Sequence, residues 1–262
     1  MNQTLSLEEQ RSCMDSLQLA GKLIMENGGE IYRVEETVTR MGQAFGLREV
    51  ESFAVPSGLF ISYRLSDGHE ETMVKRIRPG GTNLIRVDQV NSISRQVENE
   101  NLHPREAYLR LQEIRTAGLR QPLLLFGAGV CAAGFAWMFQ GGWKEFLIAF
   151  VLSACVYELG CLFGKTRVSG VGTVLLESLV TVLIPRLLSQ IIPDLQTEAL
   201  IGGALMPLLP GLTMTNAVQD LMRGDMVSGI SHATQALMTA ALVAGGALVA
   251  DAIIRFMMGG GI

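Results

Sequence analysis

Gly202-Gly203-Ala204-Leu205-Met206-Pro207-Leu208-Leu209-Pro210-Gly211, running on through Thr213, Thr215 and Asn216 to Asp220 and Asp225, is an apolar segment of membrane-crossing length that two prolines interrupt. Prolines three residues apart remove two backbone donors and clash with carbonyls one turn earlier, so a continuous helix over 198–221 is not expected. In a bilayer the freed backbone groups must be satisfied by neighbouring helices, by polar side chains such as Thr213, Thr215 and Asn216, or by water and ligand in a cavity. Broken helices line substrate sites in secondary transporters, where the N-terminus of the second half-helix offers its N–H groups to an anion. Pro207, Pro210, Gly211, Thr213, Thr215 and Asn216 are therefore the candidate substrate pathway, suited to a small carboxylate-bearing substrate. A proline kink that serves helix packing alone would leave the same trace.

Outward from the break, the composition is divided. Residues 1–120 carry 15 of the 21 Lys+Arg and 17 of the 25 Asp+Glu, which makes a polar half, 1–120, ahead of a membrane half, 121–262. The second half holds five apolar stretches, 121–140, 145–164, 170–192, 198–221 and 226–256. Each is near the ~20 residues that cross ~30 Å of hydrocarbon. The expected fold is an α-helical membrane protein, a five-span transmembrane helix bundle preceded by a small soluble α+β domain. Met1–Arg11 is polar and lacks the basic-then-apolar order of a cleaved signal. Arg105, Arg110, Arg115, Arg120, Lys165, Arg167 and Arg223 fall on one side of the spans, against Lys144, Arg255 and Arg186 on the other. The positive-inside rule then predicts a multi-pass protein of the cytoplasmic membrane, with the N-terminal domain inside and the C-terminus outside.

The polar half is nearly balanced in charge, so it has no basic field of the kind that recruits nucleic acid. Cys13, Cys131, Cys155 and Cys161 form no Cys-x-x-Cys and have no histidine nearby. They read as small apolar residues, not as a disulfide framework or a zinc site. No nucleophile elbow, phosphate-binding loop or metal-ligand spacing occurs, so neither an enzyme nor a cofactor is expected.

Within the polar half, Ser6-Leu7-Glu8-Glu9 matches a capping box, and Leu17, Ala20, Leu23 and Ile24 recur at helical spacing up to about Glu26. Asn27-Gly28-Gly29 stops that helix, and a second over 30–45 shows one face of Ile31, Val34, Val38, Met41 and Phe45, making a hairpin. Extended runs follow at 50–55, 59–65 and 71–78, the last two joined by Ser66-Asp67-Gly68, a hairpin signal. Pro79-Gly80-Gly81 closes the sheet before helices over 85–99 and 104–117, an order of α-α-β-β-β-α-α. Glu30, Glu35, Glu36, His69 and His103 read as solvated faces and ordinary packing.

Ionisable groups inside spans are costly and are functional candidates by default. Glu158 and Glu177, flanked by apolar residues, are the proton-coupling candidates, because desolvation favours a neutral carboxyl that can take up and release a proton. A carboxylic acid hydrogen-bonded to a neighbouring helix is the plainer alternative. Secondary candidates are Arg186, by snorkelling or carboxylate pairing, Asp220 and Asp225, which bracket a short turn with Arg223, and His232, one turn inside the fifth stretch. Asp251 and Arg255 have the spacing of an i,i+4 pair. Gly127, Gly129, Gly134, Gly202, Gly203, Gly245 and Gly246 permit close helix contacts and predict a tight bundle with a subunit interface, including room for a homo-oligomer.

Two stretches carry a family likeness: Glu26-Asn27-Gly28-Gly29-Glu30-Ile31-Tyr32-Arg33-Val34-Glu35-Glu36-Thr37, and Leu208-Leu209-Pro210-Gly211 with Asn216-Ala217, Gly224-Asp225 and Ser228-Gly229. The chain resembles the N-terminal, larger component of the threonine/serine exporter family over nearly its whole length. That resemblance implies a bacterial inner-membrane exporter of threonine and serine, or of C4-dicarboxylates such as succinate, driven by an ion or proton gradient. It also implies a smaller membrane subunit supplying the second half of the transporter. The rival reading is a membrane-anchored ligand-binding or hydrolytic module. Such an anchor would need neither mid-span glutamates nor a broken span.

Overall fold

The computed structural model of the protein describes residues 7–64, 68–78, 80–116, 120–164 and 170–258. Ser6 of the expected capping box, the Ser66-Asp67 turn, Pro79 and the loop cations Lys165 and Arg167 lie outside the described residues. The described residues group into two compact units, one drawn from Met1–Gly118 with Thr213–Ala233, the other from Leu119–Leu212 with Thr234–Ile262.

In the first unit, α1 (Leu7–Glu26) and α2 (Ile31–Ala44) pack as a hairpin. Gly28 takes φ +80°, a left-handed conformation that favours glycine, and the amides of Asn27 and Gly29 return to the Ile24 carbonyl. Three antiparallel strands follow, β1 (Arg48–Val55), β2 (Gly58–Arg64) and β3 (Glu70–Arg76), in the order β1-β2-β3. Alternation on β2 buries Leu59, Ile61 and Tyr63 and leaves Phe60 exposed, as the period of two requires. Helices α3 (Leu84–Glu100) and α4 (Pro104–Thr116) complete the layer, and the Asn83 side chain caps α3 by accepting from the Arg86 amide. Leu17, Ile24, Val34, Met41, Leu59, Ile61 and Leu111 form one continuous core.

Helices α5 (Gln121–Met138), α6 (Trp143–Gly164) and α7 (Gly170–Leu188) follow, and then the interrupted segment. Helix α8 (Thr197–Leu205) gives way to a 3-10 turn over Met206–Leu208, and α9 (Gly211–Arg223) starts after Pro210, bent by 56°. Neither proline sits in the body of an α-helix, because the chain changes conformation where the donors are missing. The last helix is α10 (Met226–Met257). Among the described residues, four helices, α5, α6, α7 and α10, are long and apolar enough to cross a membrane, or five spans if the bent pair counts as one.

The second unit is held by small residues. Ala132, Ala136, Ala149 and Leu200 form a buried cluster, and Gly203 lies against the backbone of Ala132 and Ala136, so α8 and α5 approach closely. Gly129 lies against Phe150, and Gly246 against Leu175 and Ser178, whereas Gly127 and Gly134 meet nothing within 4 Å. Leu123, Phe126, Leu147, Val151 and Leu248 are exposed, an apolar surface of the kind that lipid covers. Trp137, Trp143 and Phe146 cluster edge-to-face where α5 ends and α6 begins, as interfacial aromatics do.

The Gly203 contact leaves no room for a side chain. Gly203→Leu should cost about 1–3 kcal/mol by overpacking and lower the thermal midpoint of the detergent-solubilised chain. Gly127→Leu, which meets open space, should leave that midpoint unchanged.

Candidate functional site

The two stretches that carry the family likeness meet within the first unit. Asn216 of α9 is buried and its amide donates to the Gly28 carbonyl at 3.4 Å; Ser228 of α10 donates to the Ala54 carbonyl of β1 at 3.5 Å. Both bonds are at the long end of the range and hold the elements only weakly. Arg223, the last residue of α9, stacks its guanidinium carbon 3.5 Å from the centroid of the Tyr32 ring. Such a cation–π contact contributes about 0.5–1 kcal/mol at an exposed site.

Local chemistry builds each side of this junction. On α2, Glu30 pairs with Arg33 at 2.7 Å, and Arg33 also donates to the Tyr32 hydroxyl. On the other side, Gly224 takes φ +90° after Arg223, its amide returning to the Leu221 carbonyl and that of Asp225 to the Asp220 carbonyl. This left-handed glycine ends α9. Gly229 leaves space that the Leu221 side chain fills, which tightens the corner between α9 and α10.

Four carboxylates, from Glu30, Glu35, Asp220 and Asp225, collect here with Arg33, Arg223 and His232. Asp220 is completely buried; its Oδ2 lies 2.8 Å from His232 Nδ1, and its Oδ1 has no hydrogen-bond partner among the described residues. Glu35 Oε1 accepts from the Ala54 amide at 2.8 Å. Burial pushes the Glu35 carboxyl above its ordinary range, against that bond, and the nearby Asp225 and Asp220 push it further. At Glu30 burial also acts upward, but the Arg33 hydrogen bond and the surrounding guanidinium charge outweigh it and hold the carboxyl below its ordinary value. Among the described residues, no three His, Cys, Asp or Glu side chains converge as a metal ion would need.

The sequence pattern assigns Glu30 and Glu35 to a solvated helix face, and makes Asp220 and Asp225 secondary candidates that bracket a short turn. Glu36 is exposed as expected, but Glu35 turns toward β1 and the aspartates, and Asp220 pairs with His232. The density of carboxylates at 26, 30, 35 and 36 beside Gly28-Gly29 was the available signal. What it lacked was the opposing charge 185 or more residues away.

In the second unit the sequence-predicted residues fall into separate places. Gln121 Nε2 donates to Glu158 Oε2 at 2.7 Å, joining α6 to the first residue of α5. The Glu177 carboxylate of α7 lies directly over Gly160 of α6. Arg186 donates to Asp251 at 3.1 Å and to Glu198 at 2.8 Å, tying α7 to α10 and α8. It borders a cavity of about 380 Å³ with Ser189, Gln190, Asp251 and Arg255. Pro207 is exposed and Pro210 partly buried at the break; Gly211 and Thr215 are exposed and Thr213 is partly buried. Glu145, which the sequence reading leaves out, is buried and accepts from the Gly142 and Gln196 amides, a structural tie at the start of α6.

A family model described as "Putative threonine/serine exporter" matches residues 15–254. The chain is similar to the "Probable succinate transporter subunit YjjP" of Klebsiella aerogenes, 25% identical over 85% of this chain and 86% of that protein. It is similar also to the protein of the same description from Escherichia coli K12, 24% identical over 92% and 94%. A "Probable threonine/serine exporter" of Mycobacterium tuberculosis is 22% identical over 90% of this chain but 45% of its own length. No solved structure matches the chain.

Raised above its ordinary range in the fold, the Glu35 carboxyl contributes stability below that range and loses the contribution as pH rises through its shifted value. Glu35→Gln keeps the acceptor for the Ala54 amide and removes the charge. The variant should therefore unfold at a higher temperature than the parent at pH 8, with the gain shrinking toward pH 4, as followed by thermal melts in detergent.

Proposed function

We propose that this chain, which belongs to the threonine/serine exporter family, is the larger subunit of a two-part, secondary-active exporter of small carboxylate-bearing metabolites. The observation that carries the two-part reading is the match, over most of both lengths, to relatives that are themselves called transporter subunits. The Mycobacterium relative, about twice as long, would hold both parts in one chain. The partner is then a smaller membrane protein that supplies the other half of the pathway. This chain lies in the bacterial inner membrane, with its N-terminal domain in the cytoplasm and its C-terminus outside.

A C4-dicarboxylate such as succinate is the substrate favoured by the length-matched relatives. Threonine and serine, which the family description favours, are the second reading. Either offers a carboxylate to the N–H groups opened where α9 begins, beside Pro207, Pro210, Gly211, Thr213, Thr215 and Asn216. Proton coupling falls to the intramembrane glutamates. Glu177 is better supported than Glu158, because Glu158 is tied to Gln121 at the start of α5 while the Glu177 carboxyl lies between helices, over Gly160.

Cells preloaded with labelled succinate, threonine and serine test this reading. Efflux is expected only when this chain and its small partner are expressed together. Glu177→Gln should flatten the pH dependence of that efflux, and Glu158→Gln should leave most of it. Absence of efflux of all three with both chains present would overturn the exporter assignment.

A further inference from the structure

The ends of α7 and α10 border the cavity of about 380 Å³ beside Arg186, and the charges on its wall are not balanced. We propose that this cavity is a binding site for one oxyanion, a carboxylate or a phosphate group, with Arg255 as its principal cation.

Asp251 and Arg255 stand at i,i+4 spacing on α10, where an ion pair would ordinarily form. Instead the Asp251 carboxylate accepts from Arg186 Nε of α7 at 3.1 Å. The Arg255 guanidinium is left with no hydrogen bond or ion pair among the described residues, although it lines the cavity. Arg186 is held on a second side by Glu198 of α8 at 2.8 Å. Below it Val182, Ile201 and Ala250, one from each of the same three helices, form a buried apolar cluster. The wall is therefore fixed before any ligand arrives, which lowers the ordering cost of binding.

Among the described residues the wall carries two guanidiniums, Arg186 and Arg255, against one carboxylate, Asp251. Glu198, its side chain 79% exposed, lies outside it. The surplus is one positive charge, and a cation would meet both arginines. A guanidinium presents paired N–H groups at the spacing of two carboxylate or phosphate oxygens. Gln190, also on the wall and without a described side-chain partner, adds a neutral donor, whereas the Ser189 hydroxyl is spent on the Arg186 carbonyl at 2.8 Å. Ile254 and Met258 supply an apolar side suited to the carbon chain that carries the anion. The volume falls within the range of roughly 300–1,000 Å³ usual for small-molecule sites.

Two sources offer this chemistry: a small carboxylate substrate, or the headgroup of a phospholipid lying against the exposed Phe256 and Met257. The first rests on the export reading; the oxyanion site itself does not. The reporter is Ser189→Cys in a full-length chain whose four native cysteines are replaced by alanine, solubilised in a maltoside detergent that contains no phosphate. Its rate of labelling by N-ethylmaleimide is measured with succinate, with threonine and with a short-chain phosphatidylglycerol, each at ionic strength matched by sodium chloride. An anion that fills the cavity at about ten times its Kd should slow labelling about tenfold, by mass action. That ratio should fall to one in Arg255→Gln and be partly kept in Arg255→Lys, which retains the charge without the fork. Slowing by succinate or threonine identifies a substrate site, and slowing by phosphatidylglycerol alone identifies a headgroup site. Met258→Cys, at the end of α10, is a second reporter read in the same way. No slowing by any of the three at either reporter, or equal slowing in Arg255→Gln, overturns the proposal. Labelling needs neither partner nor gradient, so loss of efflux leaves this result readable and its failure leaves the exporter reading standing.

Discussion

A backbone that loses two amide donors inside an apolar segment cannot remain one helix, and much of this protein's organisation depends on that constraint at Pro207 and Pro210. The helix that would run from Thr197 to Arg223 divides into α8, a 3-10 turn and α9, bent by 56°. The two pieces have different company. Helix α8 is packed by small residues, with Gly203 against Ala132 and Ala136, as apolar helices pack in lipid. Helix α9, from Thr213 onward, groups with the α+β elements, and its buried residues are Asn216, Ala217 and Asp220. One unbroken apolar span would have no reason to carry a buried aspartate at its end.

Asp220 sets the electrostatic character of that end. Burying a carboxylate is strongly unfavourable unless it is paired, and here one imidazole pairs one oxygen only. The neighbouring Glu35 responds to the same shortage of positive charge, its carboxyl held neutral to higher pH by burial and by the aspartates. Glu30, five residues earlier on the same helix, behaves in the opposite sense because Arg33 is beside it. Two glutamates of one motif are therefore shifted in opposite directions by their surroundings, not by their residue type.

The elements of the fold were largely legible in the sequence. Helical spacing, the Gly28-Gly29 stop and the alternation on β2 each belong to local physics, in which a residue and its near neighbours decide the conformation. The apolar stretches and the proline break are legible for the same reason. Among the site residues, Asp220 and His232 were visible as ionisable groups at the edges of apolar segments. Glu35 was not, since a glutamate on an amphipathic helix carries no mark of what will face it.

By itself the sequence determined the order of helices and strands, the number of apolar segments and the position of the break, because periodicity, length and proline act over short range, while its motifs carried the family resemblance. Only the tertiary structure decided that the Glu26–Thr37 stretch faces the Asn216–Gly229 stretch, that Asp220 pairs with His232, that Glu177 lies over Gly160 and that Arg186 joins three helices. Burial and charge are set by whatever approaches through space, and those partners come from distant segments, as with Asn216 and Gly28, 188 residues apart.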